Sequence, residues 1–405
     1  MSVKFLLAAI NSKYIHMNPA VYSLRTYALG SGALNTENAE IAIVEYTINQ
    51  SMDEILGDLY ERKPDVIGFS CYIWNWQMTK ELMVEMKKLL PQTDIFLGGP
   101  EVSYEAEKIM EQSGRANEET GNGPVIRGII LGEGEKTFCE LVGYYAQRED
   151  HNLLQDIKGL LLDTGYTGMR EPLSFSEIPF LYEEQRLSGK GLQDFRNKII
   201  YYESSRGCPF RCSYCLSSID KTLRLRDLDR VFPELQFFLD CKVPQVKFID
   251  RTFNCNRAHA MAIWQYLTEH DNGVTNFHFE IAAELITEEE LELFQKMRPG
   301  LIQLEIGVQT TNPKTLKAIH RSADMTHLSQ IVERIRTDRN IHVHLDLIAG
   351  LPEEDYESFV HSFNEVYAMK PEQLQLGFLK VLKGTEISLR KEEYGLVHQS
   401  IPPYE

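Results

Sequence analysis

Three cysteines stand close together in the sequence, with a spacing that suits a metal cluster. Cys208, Cys212 and Cys215 are separated by three and then two residues and follow an apolar, strand-like segment. Cysteine thiolates hold iron–sulfur clusters, and a cubane cluster has one more iron than this motif has thiols. A structural zinc site normally has four protein ligands, and no second pair of cysteines or histidines follows nearby. The spacing therefore favours a cluster with one iron open to a small molecule over a zinc site or a disulfide.

The cysteine loop resembles the hallmark of the radical S-adenosylmethionine (SAM) superfamily, Cys-x3-Cys-x2-Cys with an aromatic residue just before the last cysteine. Tyr214 occupies that aromatic position here. The resemblance implies a 4Fe–4S cluster whose open iron chelates SAM. It also implies reductive cleavage of SAM to methionine and a 5′-deoxyadenosyl radical. In such enzymes the cofactors carry the chemistry, while the protein positions and shields them.

Polar residues after later predicted strands resemble the oxygen-independent coproporphyrinogen oxidase branch of this superfamily. By this resemblance, Glu280 would bind the ribose hydroxyls of SAM and Gln309 its methionine end. Arg321 would pair with the methionine carboxylate, and Asp346 with another polar edge of the ligand. A guanidinium fork matches a carboxylate, and carboxylates accept from diols. Taken singly, Glu280 and Asp346 are also explained as satisfied strand-end carboxylates, and Asp250 either helps to hold the adenosyl group or caps its loop.

The N-terminal part resembles the cobalamin-binding domain that precedes many radical SAM cores. Its marks are the turn of Gly98 and Gly99, and the segment 131–135 around Glu133. Glycines at strand ends let the backbone approach a ligand closely. The resemblance implies cobalamin as a further cofactor, with Gly98, Gly99 and Glu133 at its site. The alternative is a Rossmann-like domain that binds nothing.

One departure from that domain concerns the lower face of cobalamin. An Asp-x-His-x-x-Gly loop after the first strand ligates cobalt in some relatives, and this chain has no such loop. The resemblance therefore implies a lower face without a histidine ligand. The aromatic segment 72–76 either covers the underside of the corrin or packs as a loop on its own helix.

Alternating strand and helix patterns predict an α/β protein with two domains. Residues 1–150 are predicted to form a doubly wound, Rossmann-like sheet, and residues 151–195, punctuated by glycine and proline, a linker. Residues 196–405 are predicted to form a partial (β/α)6 TIM-type barrel with the start of a C-terminal extension. Ligands of both folds bind at the carboxyl ends of the strands, and the cysteines follow the first barrel strand. Strands are expected at 3–9, 40–46, 66–70, 94–98 and 128–131, then at 199–204, 246–250, 277–282, 301–307, 342–349 and 373–381.

The composition of the chain disfavours some classes of binding partner. The 405 residues are 43% hydrophobic and 25% charged, with a formal net charge of −17, which argues against nucleic acid. No apolar run is long enough to span a bilayer. An odd number of cysteines dominated by one cluster motif predicts a reducing, cytoplasmic compartment. The expected partners are a small-molecule or peptide substrate and an electron donor such as flavodoxin or ferredoxin.

The combined resemblances favour a cobalamin-dependent radical SAM methyltransferase acting on an unactivated carbon or phosphorus centre. Two alternatives stay open. One is a cobalamin-assisted rearrangement or cyclisation without methyl transfer, and the other is a non-catalytic cobalamin or redox sensor. The sequence identifies neither the substrate nor a catalytic side chain. Residues 386–405 are polar and provide no closing domain, so we expect the natural chain to continue.

Overall fold

The computed structural model describes residues 2–30, 38–118, 125–146 and 153–405. The chain divides into two compact units, Met1–Leu187 and Ser188–Glu405. The predicted domain boundary at residue 150 lies outside the described residues. Within the described ranges, no helix is both long and apolar enough to cross a membrane.

The N-terminal unit is a mainly parallel sheet whose strands alternate with helices. Its strands are β1 (Val3–Asn11), β2 (Ala39–Thr47), β3 (Val66–Ser70), β4 (Asp94–Gly98), β5 (Gly128–Ile130), β6 (Leu160–Leu162) and β7 (Gly165–Tyr166). Its helices are α1 (Pro19–Gly30), α2 (Met52–Arg62), α3 (Trp76–Leu89), α4 (Pro100–Ser103), α5 (Ala106–Glu118), α6 (Glu135–Ala146) and α7 (Glu183–Ser188), the last ending at the boundary between the units.

The strand order is β2-β1-β3-β4-β5-β6-β7, and the first five strands pair in parallel. The chain passes from β1 outward to β2 and then returns to β3 on the other side of β1. The doubly wound topology is therefore confirmed, and its switch point lies between the carboxyl ends of β1 and β3, where such sheets bind ligands.

The segment 151–195 differs from the predicted linker. It contains β6 and β7, which extend the sheet in antiparallel fashion from β5, with Ile129 opposite Leu161. All three residues of β6 are buried. The apolar run of β6 lies between Gly159 and Gly165 and is too short to stand out as a strand. It nevertheless covers the open edge of β5, so the compact unit continues to Leu187.

The C-terminal unit repeats a strand–helix pattern. Its strands are β8 (Ile200–Tyr202), β9 (Ser205–Arg206), β10 (Arg224–Leu225), β11 (Gln245–Phe248), β12 (Asn276–Ile281), β13 (Ile302–Gln309), β14 (His342–Ala349) and β15 (Gln373–Phe378). Its helices are α8 (Leu228–Asp240), α9 (Arg257–Glu269), α10 (Glu288–Phe294), α11 (Pro313–Ala318), α12 (Met325–Thr337), α13 (Tyr356–Ala368) and α14 (Glu386–Leu389).

The main sheet of this unit is parallel, in the order β15-β14-β13-β12-β11-β8. Among the described residues β8 and β15 do not pair with each other, so the barrel is open, as predicted. The strand expected at 373–381 ends earlier, at Phe378. Local sequence signals mark the helix starts. Helix α10 begins after Thr287, whose backbone amide donates to the carboxylate of Glu290 over 2.7 Å.

Strand β13 of this sheet alternates strictly between buried and partly exposed residues. In β13 the buried set is Ile302, Leu304, Ile306 and Val308, whereas the residues between them are polar or glycine. Because successive side chains point to opposite faces of a strand, the apolar set packs under the helices. The polar set therefore lines the concave face of the open barrel.

Candidate active site

The three cysteines lie on a loop that leaves the first barrel strand. A short antiparallel ribbon of β9 and β10 closes the base of this loop. Gly207 precedes the first cysteine with φ +92°, and a Cβ there would overlap the carbonyl oxygen of Thr222. Only glycine permits that approach. The amide of Cys208 donates to the carbonyl of Asp220 over 3.3 Å, so the ribbon fixes where the loop starts.

The loop brings the three thiols into one electrostatic neighbourhood. Cys208 is buried, Cys212 and Cys215 are half-buried, and none of them forms a disulfide. Burial raises the pKa of Cys212, the guanidinium of Arg321 lowers it, and the charges of Cys215 and Cys208 raise it again. Thiols whose charges affect one another fit an iron–sulfur cluster, because coordination removes their protons and neutralises the thiolates.

Asp250 holds the chain that leads into the loop. The side chain is fully buried and accepts hydrogen bonds from the amide of Ser204 (3.0 Å), the hydroxyl of Ser204 (2.7 Å) and the hydroxyl of Ser205 (2.5 Å). Burial raises the pKa of Asp250 to about 6 despite these donors. Of the two roles that the sequence allowed, the contacts match the structural one, since Asp250 ties the end of β11 to the start of β9.

The end of β13 places Gln309 and Arg321 beside Tyr214. Gln309 has φ +71°, and the strand register shifts between Gly307 and Gln309. A Cβ at Gly307 would overlap the side-chain amide nitrogen of Gln309, so glycine makes room for that amide. The guanidinium of Arg321 donates to the carbonyl of Gly307 (2.7 Å) and to the hydroxyl of Tyr214 (3.4 Å). Three of the residues predicted to contact SAM or flank the cluster therefore lie together.

The amide oxygen of Gln309 is buried and accepts no hydrogen bond among the described residues. Buried polar atoms in folded proteins nearly always have a partner, from protein, water or ligand. An amide oxygen in this position fits a ligand donor such as the amino group of SAM. The two bonds of Arg321 use only part of its five donors, so the guanidinium retains donors for a carboxylate.

Glu280 and Asp346 lie on the concave face, at the ends of β12 and β14. The nearest ammonium to Glu280 is Lys247, with Nζ 3.4 Å from Oε1. Burial raises the pKa of Glu280, and Lys247 lowers it. Asp346 faces His344, with 3.0 Å between Oδ1 and Nε2. The SAM-binding roles of Glu280 and Asp346 stay predictions.

Sequence reasoning did not identify four of the polar neighbours of Glu280 and Asp346. The available signal was the recurrence of polar residues at every second position of otherwise apolar strands, which marks one face. The rule that ligands bind at the carboxyl ends of strands favours the last residues of each strand and overlooks residues nearer its middle. The missed side chains are Lys247, His278, Glu305 and His344.

In the N-terminal unit the predicted glycines lock the ends of β3 and β4 together. The carbonyl of Gly98 accepts from the amide of Cys71 over 2.7 Å. Gly99 has φ +105°, and a Cβ there would lie 2.5 Å from the carbonyl oxygen of Cys71. No L side chain fits this contact without movement of the backbone. The close contact with the backbone of Cys71 therefore explains the glycine at position 99, and the contact of this turn with cobalamin stays a prediction.

Replacing Gly99 with alanine is expected to destabilise the N-terminal unit by about 2 kcal/mol or more, because it forces both a strained φ and an overlap with backbone. The matched control is Gly57→Ala in α2, where a Cβ meets nothing within 4 Å. A helical Gly→Ala change is expected to stabilise by roughly 0.5–1 kcal/mol. Thermal unfolding and cobalamin retention of both variants check the prediction; equal losses in the two variants would contradict it.

The aromatic segment 72–76 is fixed at the ends of β1 and β3. The rings of Tyr72 and Trp74 stack, 4.5 Å apart and 8° from parallel. The indole of Trp74 donates to the carbonyl of Ile10 over 3.1 Å. The side-chain amide of Asn75 donates to the carbonyls of Ile10 (3.0 Å) and Ser70 (2.9 Å). This rigid pair, with Trp74 43% exposed, suits either role that the sequence allowed, and its contact with a corrin stays a prediction.

The remaining N-terminal candidate, Glu133, accepts a hydrogen bond from the amide of Leu173 over 3.3 Å. The sequence analysis did not identify a second polar group, which lies beside the switch point. There the carboxylate of Glu45 accepts from the amide of Asn18 and from the side chain of Asn11, both over 2.8 Å. The side chain of Asn18 also donates to the hydroxyl of Ser70 (3.1 Å). Because these contacts join segments that are far apart in sequence, no local sequence motif indicates them.

Two protein-family models match the chain in the expected order. A B12 binding domain matches residues 29–142, and the radical SAM superfamily matches residues 202–366. Among solved structures, the radical SAM methyltransferase TsrM from Kitasatospora setae, with cobalamin and a 4Fe–4S cluster bound, has a TM-score of 0.69. That similarity covers 99% of this chain and 76% of TsrM at 17% identity, and it establishes the fold.

Two curated relatives represent different reactions. The cobalamin-dependent radical SAM methyltransferase TokK of Streptomyces tokunonensis is 24% identical over 359 residues, covering 82% of this chain and 50% of TokK. An anaerobic magnesium-protoporphyrin IX monomethyl ester cyclase of Cereibacter sphaeroides is 20% identical over 354 residues, covering 82% of this chain and 53% of the cyclase. The chain thus spans about half the length of these relatives. The chain combines a B12 binding domain with a radical SAM domain, as in cobalamin-dependent radical SAM enzymes, whose cofactors are a 4Fe–4S cluster, SAM and cobalamin.

Proposed function

We propose that this chain forms the core of a methyltransferase that moves a methyl group from SAM to an unactivated centre of a small molecule or peptide. The observation that carries the proposal is the arrangement around the cysteine loop. Three thiols share one neighbourhood, while the buried amide oxygen of Gln309 lacks a partner and Arg321 lies against Tyr214. A B12 binding domain precedes this loop in the same chain.

The side chains have separate tasks in this proposal. Cys208, Cys212 and Cys215 hold the cluster and leave one iron for SAM. Arg321 binds the carboxylate of SAM and Gln309 its amino group, which orients the sulfonium toward the cluster. When bound, the cluster and SAM supply a carbon-centred radical, and cobalamin supplies the methyl group. The rigid turn at Gly99 presents backbone rather than side chains to the cobalamin.

A second candidate is a cobalamin-assisted cyclisation without methyl transfer. Its support is the cyclase relative, which matches as much of this chain as TokK does. Methyl transfer has the broader support, because TokK and TsrM are both named methyltransferases. A non-catalytic sensor has less support, since a sensor has no need of the acceptor of Gln309 and the donors of Arg321.

Turnover requires one electron for each SAM cleaved. We propose that a flavodoxin or ferredoxin supplies it and that the chain works in the cytoplasm, where its seven free thiols are kept reduced. The substrate class rests on the acidic net charge of −17, which disfavours nucleic acid.

The experiment uses SAM and cobalamin alone, so no substrate need be known. Oxygen-free protein is reduced in the presence of cobalamin and SAM, and S-adenosylhomocysteine and 5′-deoxyadenosine are both measured. A methyltransferase forms S-adenosylhomocysteine, because loss of the methyl group converts the sulfonium to a thioether. Formation of 5′-deoxyadenosine alone would support the cyclisation alternative. Formation of neither product would contradict both enzymatic proposals and favour the sensor.

A further inference from the structure

A group of titratable side chains lies on the concave face of the C-terminal sheet, away from the cysteine loop in sequence. Its centre is Glu305 on β13 with His344 and Asp346 on β14. One ligand atom from each of these three residues lies within 4.8 Å of the others. Glu305 stands directly opposite His344 in the parallel register, and Gly307 stands opposite Asp346. The side-chain amide of Gln309 takes the space that a side chain at Gly307 would fill.

The separation of His344 and Asp346 matches that of two atoms that share one metal ion. Nε2 of His344 lies 3.0 Å from Oδ1 of Asp346. Nitrogen and carboxylate ligands bind a transition metal at about 2.0–2.2 Å, so two of them on one ion lie roughly 3 Å apart. A hydrogen bond between an imidazole N–H and a carboxylate has a similar length, so the distance alone does not distinguish the two arrangements.

The geometry of hydrogen bonding distinguishes a metal site from a direct hydrogen bond. His344 is only 5% exposed, and neither its Nε2 nor Oδ1 of Asp346 makes a hydrogen bond of acceptable geometry among the described residues. The two atoms are close but not aligned as donor and acceptor. Both residues also have a ligand atom within 4.8 Å of a carboxylate oxygen of Glu305. Buried polar atoms without partners call for a bound water, ion or ligand.

The charges of the two carboxylates also favour a bound cation. The carboxylates of Glu305 and Asp346 are near neighbours, and like charges at this range need a cation or a shared proton between them. Burial raises the pKa of Asp346, His344 lowers it, and Glu305 raises it again. Lys247 contacts Glu305, with 3.1 Å from Nζ to Oε2, but its other contact is Glu280 and not Asp346.

The neighbours of Glu305 resemble the outer support of a metal ligand. Nζ of Lys247 donates to Oε2 of Glu305 over 3.1 Å. Nε2 of His278 lies 2.8 Å from the same oxygen, without a hydrogen bond of acceptable geometry among the described residues. Carboxylates that bind metals are usually held in this way by a second layer of donors, which fixes their orientation. Burial raises the pKa of Glu305, but His278 and then Lys247 lower it to about 2.

We propose that Glu305, His344 and Asp346 bind one divalent transition-metal ion that is separate from the iron–sulfur cluster. One imidazole and two carboxylates suit Mn²⁺, Fe²⁺ or Zn²⁺ rather than a thiolate-selecting metal. Three protein ligands leave coordination positions for water or for an oxygen of a bound molecule, as in catalytic metal sites. The site shares no ligand with the cysteine loop.

The test measures Mn²⁺ binding by the oxygen-free, cluster-loaded chain after chelator treatment, using the electron paramagnetic resonance signal of free Mn²⁺. SAM is omitted, because Asp346 also belongs to the predicted SAM set. The wild type is expected to remove one Mn²⁺ per chain from solution. His344→Ala and Glu305→Gln are expected to weaken binding by roughly 100-fold or more, since even outer-layer changes cost 10–100-fold.

The matched control is His342→Ala. His342 lies on the same strand and also has an Nε2 without a hydrogen bond, but it is outside the group of three. This variant is expected to bind Mn²⁺ as the wild type does. Cys212→Ala is also expected to keep the Mn²⁺ site, which separates failure of this proposal from failure of the proposed methyl transfer.

Two results would overturn the site. One is the absence of stoichiometric Mn²⁺ binding together with a failure of Zn²⁺ to bind in its place; the carboxylates would then share a proton. The other is equal Mn²⁺ affinity in the wild type and in folded Glu305→Gln protein. Far-UV circular dichroism establishes folding, and Glu305→Gln preserves the shape of the side chain.

Discussion

Replacing Cys212 with alanine is expected to abolish reductive cleavage of SAM, measured as 5′-deoxyadenosine formed under reducing, oxygen-free conditions. Loss of one thiolate leaves two ligands for the cluster and opens a second iron. Changes in the outer layer of a metal site already cost 10–100-fold, so removal of a ligand should cost more than about 100-fold. Cys208→Ala and Cys215→Ala are expected to behave alike.

Two other cysteines of the same unit serve as controls. Cys241 closes the end of α8, and Cys255 lies in a short turn after β11. Burial and then the charge of Cys208 raise the pKa of Cys255 to about 11, so its thiol lies in the vicinity of the loop. Cys241→Ala and Cys255→Ala are both expected to retain SAM cleavage. Loss of the cluster in Cys255→Ala would show that the ligand set has more than three cysteines.

Replacing Arg321 with lysine is expected to raise the KM for SAM by roughly 10–100-fold, since a hydrogen bond to a charged group contributes about 1.5–3 kcal/mol. The guanidinium is largely buried and already bonded to Gly307 and Tyr214. A lysine ammonium keeps the charge but loses the planar fork that matches a carboxylate. The expected result is therefore weaker SAM binding with the cluster intact.

The matched change is Arg336→Lys. Arg336 lies on the outer helix α12 and pairs with Glu372 over 3.3 Å, with both side chains partly exposed. Exposed ion pairs contribute little to stability, so the KM for SAM is expected to stay unchanged. Iron content and the visible spectrum of Arg321→Lys report the cluster separately. An unchanged KM in that variant would remove Arg321 from the SAM site.

Features with local signals were predictable from the sequence. The cysteine motif is contiguous, and each barrel helix follows its strand with its own start signal, such as Thr287 before α10. The strands are apolar on the face that packs under helices. Such signals need no knowledge of what lies across the sheet, which is why the open barrel and the doubly wound sheet were predicted.

Features that depend on long-range pairing were not predictable. β6 is recognisable only because Leu161 pairs with Ile129, on a strand some thirty positions earlier. The group around Glu305 exists because the register puts it opposite His344. Nor does the sequence show that Gln309 adopts φ +71°, which turns its amide back over Gly307. In each case the neighbour that matters lies on another strand or depends on backbone geometry.

The most direct measurement is the iron, sulfide and corrinoid content of the chain purified without oxygen in the presence of cobalamin. A cubane cluster held by three thiols predicts about four iron and four sulfide per chain. The B12 binding domain predicts one corrinoid, retained through gel filtration. Stoichiometric zinc in place of iron and sulfide would contradict the account.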